Sequence, residues 1–320
     1  MIPYLTGEIT ALTAFIGILF AFAATCFFIT KFHDCLPSDM GRAYAVDGKK
    51  SAGKPRGAGI IFILVFAGSA LIFSKINLET GIYLILIVVE MLTGYLDDAS
   101  DRPWNEYKKG LLDLIVAVAA AITFLHFHSN EVYLATLKTT ITIPPVLFCI
   151  LTVVLIWGSI NVTNCADGVD GLSGTLAIIT LGTIYLIGEI TGHTDDFFFL
   201  ILLFIVCILG YLWYNATPSR IMMGDAGSRA MGIFIGIAAL KTGSPFLYLP
   251  AAFVLAMDGG LGLIKVALLR FCRISILKNI RTPLHDHVRK NMGWSNTQTV
   301  FRFGIIQIVI AIATIYLLIL

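Results

Sequence analysis

Charge is scarce in this chain. Of its 320 residues only 13% are Asp, Glu, Lys or Arg, against 58% hydrophobic and a mean hydropathy of +0.88. Soluble globular domains carry about a quarter charged residues, so that class is excluded and the chain reads as an integral membrane protein. Cysteine is also sparse: the six show no paired spacing, which argues against a disulfide framework or a zinc site and for reduced, packing cysteines. No H-E-x-x-H helix and no P-loop spacing occurs. There is no convincing internal repeat of the kind secondary transporters carry, and no stretch reads as a separate soluble domain. The first apolar run lacks the basic leader and small-residue cleavage pattern of a signal peptide, so a retained helix is expected. One polytopic domain over 1–320 follows, with membrane lipid as its surroundings and no nucleic-acid partner.

What the chain has in abundance is apolar runs. About 20 apolar residues span the hydrocarbon as a helix, which predicts an all-α membrane protein with ten spans, near 9–30, 57–74, 81–96, 111–126, 142–160, 171–189, 198–214, 227–241, 247–269 and 301–320. Of the 22 Lys and Arg residues, 18 fall in or beside the connections after spans one, three, five, seven and nine. The positive-inside rule then puts those loops in the cytoplasm and both termini outside. The acidic motifs all fall on the cytoplasmic side, and a wrong span count would scatter them.

Three clusters stand out there. Asp97-Asp98-x-x-Asp101 ends the third span. A carboxylate at a membrane boundary is costly without a cation, and Mg2+ is commonly held by one or two carboxylates plus substrate phosphates. Acidic residues after a span are also ordinary solvated helix ends. In the second cluster Asn161, Asn164, Asp167 and Asp170 recur every three residues, so a helical or tight-turn path brings their oxygens towards one side. Gly168 and Gly171 would let backbone amides approach a phosphate or a nucleobase. The third cluster runs from Asn215 to Gly224-Asp225-Ala226-Gly227-Ser228, a carboxylate and amides at a helix start, which suits either an anion with its metal or a helix cap. Repetition on one face points to magnesium-dependent phosphoryl transfer on a lipid.

Other polar features are more ambiguous. His285-Asp286-His287 in the long ninth connection could meet phosphate, act as acid or base, or be solvated, with phosphate or sugar contact ranked above metal. Basic residues among glycines from Asp47 to Gly59 suit a diphosphate, yet are also the topology signal. His126 and His128 read as interfacial. Glu90, Asp258 and Lys265 lie inside spans and need partners, with structural pairing as plausible as catalysis.

Taken in order, Asp-Asp after a span, Asn-x-x-Asn-x-x-Asp-Gly-x-Asp-Gly-Leu, Gly-Asp-x-Gly-Ser and Pro-Leu-His-x-His resemble the polyprenyl-phosphate N-acetylhexosamine-1-phosphate transferases. The continuation Gly293-Trp294-Ser295-x-x-Gln298-x-Val300-x-Arg302-Phe303 looks like the phospho-N-acetylmuramoyl-pentapeptide branch. The resemblance implies a bacterial plasma-membrane enzyme that joins UDP-N-acetylmuramoyl-pentapeptide to undecaprenyl phosphate, giving lipid I and UMP in peptidoglycan synthesis, with Mg2+ as cofactor. It implies Asp97 as base or activator of the lipid phosphate, Asp98 as phosphate and metal support, and Asp225 as principal metal ligand. Asn161, Asn164, Asp167 and Asp170 would shape the nucleotide and diphosphate site, with Gly168, Val169, Asn215 and Met222 nearest the uridine. Lys49 and Lys108 or Lys109 would face phosphates, and His285 and His287 the sugar-phosphate end.

Several positions depart from the pattern. His285-Asp286-His287 stands for three histidines, Asp101 for lysine, Met222 for phenylalanine and Lys265 for glutamine. Lys54-Pro55-Arg56-Gly57-Ala58-Gly59 stands for Thr-Pro-Thr-Met-Gly-Gly. The sister activity, transfer from UDP-N-acetylglucosamine, remains the alternative, with a secondary transporter as the reading from another class. A homodimer is left open. Direct attack of the lipid phosphate is expected ahead of a covalent aspartyl intermediate, with an open groove between helices admitting the prenyl chain.

Overall fold

The computed structural model describes residues 1–3, 9–41, 51–100 and 102–320. Lys49 and Asp101, singled out above, lie outside the described residues. The rest is built of helices: α1 (Ala11–Phe32), α2 (Gly59–Phe73), α3 (Leu78–Asp98), α4 (Glu106–Phe127), α5 (Pro145–Ala166), α6 (Leu172–Thr191), α7 (Phe197–Asn215) and α8 (Gly224–Lys241). A bent pair follows, α9 (Pro245–Ala251) and α10 (Phe253–Cys272), then the short α11 (Leu284–Asn291) and α12 (Asn296–Ile319). Between α4 and α5 lies a hairpin of β1 (Glu131–Leu134) and β2 (Thr139–Thr142), antiparallel with Glu131 opposite Thr142.

Helix starts follow the local sequence. Asn77 and Asn105 accept from the amides of Thr80 at 2.8 Å and Lys108 at 2.7 Å, and Ser295 with Gln298 forms a reciprocal capping box at α12. Pro145 opens α5, where a missing amide hydrogen costs nothing.

Among the described residues seven helices are long and apolar enough to cross a membrane: α1, α3, α4, α5, α6, α7 and α12. The bent pair makes an eighth if its halves, turned by 76°, count as one span. Of the ten expected runs, the second is a 15-residue helix, the eighth is α8, and the ninth is broken rather than straight. α8 differs from the others because every one of its residues is buried. α2, α3, α5, α6 and α7 surround it, so its polar residues meet protein instead of lipid. Arg229 is buried in its middle, 2.9 Å from Glu90 of α3 and paired with Asp113 of α4. That settles Glu90 as one half of an interhelical ion pair, the usual requirement for charge at this depth. Lys265 donates to the Leu277 and Ile280 carbonyls at 3.0 and 2.8 Å, tying α10 to the loop after it.

At the far end of α8, His128 has polar partners: its Nε2 lies 2.7 Å from Glu79 and 3.1 Å from Lys241 Nζ, because the start of α3 and the ends of α4 and α8 meet there.

The helices approach closely where side chains are missing. A Cβ on Gly59 would lie 2.0 Å from the Gly227 amide nitrogen, and one on Gly94 would lie 2.5 Å from the Asp225 carbonyl carbon. Backbone cannot yield as a flexible side chain can, so α2 and α3 lie against the first turn of α8 only because these residues are glycine. Gly94→Ala should therefore lower the unfolding temperature of the detergent-solubilised protein and its activity together. Gly182→Ala, where a Cβ meets nothing within 4 Å, should leave both near wild type or raise stability slightly.

Candidate active site

The first turn of α8 exposes backbone amides that no residue of the helix itself can satisfy. Asp98, the last residue of α3, satisfies two of them. Its oxygens accept from the amides of Asp225 and Ala226, each at 3.1 Å, and Arg56 Nε completes the shell 2.9 Å from Oδ1. The Asp98 side chain has no exposure at all. Its neighbour Asp97 turns the other way, accepting from the Trp104 amide at 2.6 Å and pairing with Lys109. Asp225 then faces both sides: Oδ2 lies 2.9 Å from Lys109 Nζ, and Oδ1 lies 3.4 Å from Arg56 Nη2.

These contacts set the charges. Burial disfavours ionisation of Asp225, yet Lys109 and Arg56 more than offset it and hold the carboxyl at about 2. Burial likewise opposes charge on Arg56, but Asp98, Asp225 and Asp39 raise its affinity for a proton above the ordinary arginine value. With Asp39 at 3.6 Å from Arg56 Nη1, four carboxylates share two cations. The cluster so counted carries a net charge of minus two.

Among the described residues no three His, Cys, Asp or Glu side chains form a ready-made metal cage. The donor chemistry nevertheless fits Mg2+: Asp97 and Asp225 converge from different helices as hard oxygen donors, and Mg2+ commonly takes one or two carboxylates and completes its shell with phosphates and water. Asp98 fits less well, since its side chain has no exposure and two backbone amides hold its oxygens, whereas the flexible Lys109 side chain could yield to a cation at Asp97 and Asp225.

A cleft of about 520 Å³ opens beside this cluster. Of the residues singled out by sequence, Asn164, Asp167, Gly168, Val169, Asp170, Asn215, Met222 and Asp225 line it. Their positions have local causes. Asn164, in the last turn of α5, donates to Ser228 Oγ at 2.9 Å. Asn215 bridges two loops, accepting from the Gly171 amide and donating to the Ile221 carbonyl, each at 2.8 Å. Gly171 has φ of 83°, a left-handed turn that lets α6 start immediately after the Asp170 loop. Asp170 accepts from the Ser219 amide at 3.3 Å and faces Lys54 at 3.8 Å.

Other predicted residues go elsewhere. Asn161 faces away from the cleft lining, donating to Asp113 at 3.2 Å and to the Trp157 carbonyl at 2.9 Å, because α5 remains helical to Ala166 and turns it towards α4. Lys108 lies over the Trp104 ring at 3.2 Å, leaving Lys109 as the lysine of the site. His287 accepts from the Arg281 amide at 3.3 Å and does not line the cleft. His285 is buried directly behind Gly168: a Cβ on that glycine would lie 2.2 Å from its Nε2.

Sequence reasoning left three partners unassigned to the site. Asp258, wholly buried in α10, accepts from the His285 amide at 2.7 Å and lies 2.8 Å from its Nδ1. Arg289 lines the cleft, donating to the Gly168 carbonyl at 3.2 Å, Asp286 at 2.8 Å and Asn296 at 3.1 Å. Arg56 is the third. Both arginines sit in basic loops where the topology signal hides individual roles, and Asp258 shows only as a carboxylate in an apolar run.

A second, apolar groove of about 520 Å³ lies between α1 and α2, lined by Phe20, Phe28, Phe32, Ile61, Leu64 and Val65 among others, with Tyr95 of α3 at its edge. Tyr95 packs against Gly57, one residue from Arg56, and precedes Asp98 by three residues.

Residues 80–243, just over half of the chain, match the family described as Glycosyl transferase family 4. A phospho-N-acetylmuramoyl-pentapeptide-transferase of Treponema pallidum subsp. pallidum is 42% identical over 292 residues, covering 85% of this chain and 80% of its own. Proteins of the same name from Ruegeria pomeroyi and Clostridium acetobutylicum are 29% and 25% identical, with 81% and 85% of this chain covered and 78% and 88% of their own. By this match and this identity, the chain belongs to glycosyl transferase family 4 and, within it, to the phospho-N-acetylmuramoyl-pentapeptide transferases.

Proposed function

We propose that the cleft transfers phospho-N-acetylmuramoyl-pentapeptide from its UDP-activated form to undecaprenyl phosphate, with lipid I and UMP as products. The observation that carries this reading is the convergence of Asp97, Asp98 and Asp225 with Lys109 and Arg56 at one end of a polar cleft. Both substrates are anions, so positioning and charge neutralisation must provide most of the rate. Mg2+ would be held by Asp225 and Asp97 in preference to Asp98, and would supply neutralisation of the diphosphate. Asp97 activates the lipid phosphate for direct attack on the phosphorus bonded to the sugar, and Lys109 faces the phosphates from the other side. Asn164, Asp167, Asp170 and Asn215 bind the nucleotide, with Gly168, Val169 and Met222 against the base.

The site faces the cytoplasm of a bacterial plasma membrane, both termini lie outside, and α2, α8 and the bent pair complete the count of ten spans. The distribution of Lys and Arg supports that orientation. The apolar groove ending at Tyr95 supports a path for the prenyl chain from the bilayer to Asp97.

Three measurements test this reading. Purified protein in detergent, given radiolabelled UDP-N-acetylmuramoyl-pentapeptide and undecaprenyl phosphate, should form a lipid-linked product only with Mg2+. Product from UDP-N-acetylglucosamine alone would move the chain to the sister activity, and none from either donor would sink the assignment. A photoreactive prenyl phosphate should label α1 or α2 near Tyr95, and labelling confined to other helices would rule that groove out. His285→Ala should lower kcat on the order of 100-fold, because it removes the side chain that backs Gly168 and so misplaces the groups that hold the substrate, and Asp258→Asn should reproduce much of the loss because it removes the group holding the ring. Unchanged kcat in both variants would leave the pair a purely structural contact.

A further inference from the structure

We propose that Arg56 is a positioning residue for this reaction, one that holds Oδ1 of Asp225 so that Oδ2 alone is presented to the reacting phosphates and their metal. The inference rests on the reading of the cleft given above and deepens it. The guanidinium reaches three carboxylates at once: Nε lies 2.9 Å from Asp98 Oδ1, Nη2 lies 3.4 Å from Asp225 Oδ1, and Nη1 lies 3.6 Å from Asp39 Oδ1. Asp225 Oδ2 is outside that grip, and there Lys109 meets it at 2.9 Å. The two oxygens of one carboxylate are thereby divided between a fixed cation and the side on which Asp97 also lies. A planar fork of five donors can do this, whereas a lysine is a single point of charge and a threonine has none.

The clamp is anchored at both ends. Arg56 donates its amide to the Pro37 carbonyl at 2.8 Å, and the Pro55 carbonyl accepts from the Met222 amide at 2.8 Å. Two residues further on, the Ala58 amide donates to the Met222 carbonyl at 3.0 Å. The backbone around Arg56 is therefore stitched to the segment that leads into α8, and the side chain arrives at Asp225 with little freedom. It is 17% exposed and lines the cleft, so it stays within reach of a bound diphosphate.

Position and charge have opposite effects on metal binding, and that opposition provides the test. A fixed positive charge near Asp225 repels a divalent cation, so removing it should tighten Mn2+ binding by at least about tenfold, the repulsion that such charges a few ångströms apart keep even at a dielectric close to that of water. Removing it also frees Asp225 to turn, which should lower kcat by about tenfold or more. Full-length wild type, Arg56→Gln and Arg56→Lys, purified in detergent, would be compared by electron paramagnetic resonance titration with Mn2+ and by kcat and donor KM. The expected result for Arg56→Gln is tighter Mn2+, lower kcat and little change in KM. Arg56→Lys should return Mn2+ affinity towards wild type but leave kcat low, because charge is restored and the fork is not.

Wild-type kcat in Arg56→Gln would overturn the proposal. So would joint loss of Mn2+ binding and kcat, the mark of a collapsed site, or full recovery of kcat in Arg56→Lys. Absence of turnover in the wild type would count against the proposed reaction, whereas the Mn2+ contrast among the three proteins is read without turnover. Unchanged or weaker Mn2+ binding in Arg56→Gln overturns the clamp by itself.

Discussion

The carboxylate of Asp98 lying across two amides of α8 is the contact on which the rest of the site depends. Hydrogen bonds from neutral donors to a charged acceptor contribute about 1.5–3 kcal/mol each, and taking a carboxylate out of water costs several kcal/mol. The balance is favourable only because the amides at the start of α8 need an acceptor and Arg56 stands beside it. Once Asp98 is held, its neighbour Asp97 must point to the other side of the α3 terminus. Asp225, whose own amide Asp98 grips, must stand between them. Two adjacent aspartates and a third distant in sequence are thus oriented by one buried contact.

The cost of that arrangement is a crowd of like charges at the edge of a low-dielectric region. Among the described residues, four carboxylates and two cations leave the cluster a negative excess. An excess of this sign would be a defect in a purely structural cluster. Under the proposed reaction, the same excess would draw in the divalent cation that accompanies the phosphates. Deeper along α8 the requirement is opposite: Arg229 is enclosed by Glu90 and Asp113 with no cleft beside it, and charge there serves to join helices.

Much of this is legible in the sequence, for definite reasons. Asp97, Asp98, Asn164, Asp167, Asp170 and Asp225 stand out because polar residues at the ends of apolar runs have few structural excuses, and positive-inside counting sorts them onto one face. The cleft gathers most of them. Asn161 shares their three-residue spacing yet leaves the cleft, because it sits a turn before Asn164 within α5 and is turned towards Asp113 of α4, whereas Asp167 and Asp170 follow the helix end at Ala166. Arg56 and Arg289 are hidden for the opposite reason, since a basic residue beside a span already has an explanation. The break between α9 and α10 leaves only one mark, Pro250 two residues before Ala252, and its 76° turn is steadied by Gln307 of α12, which accepts from the Val254 amide and donates to the Pro250 and Ala251 carbonyls.

That break has a chemical consequence. Beyond it, the stretch Ala256–Gly260 winds as a wider π-turn, and a Cβ on Gly259 would fall 2.1 Å from the Val162 carbonyl oxygen of α5. The close approach brings Asp258 to the base of the Asn164–Asp170 loop, where its carboxylate receives both the amide and the ring nitrogen of His285. His285 in turn fills the space that the missing side chain of Gly168 leaves. A loop otherwise free to sample many conformations is therefore supported from behind by a helix that had to bend and lose a side chain to reach it. Its cleft-facing side can then carry Asn164, Asp167 and Asp170, while Ala166 and Val169 of the same segment are buried in the apolar core and help to keep it in place.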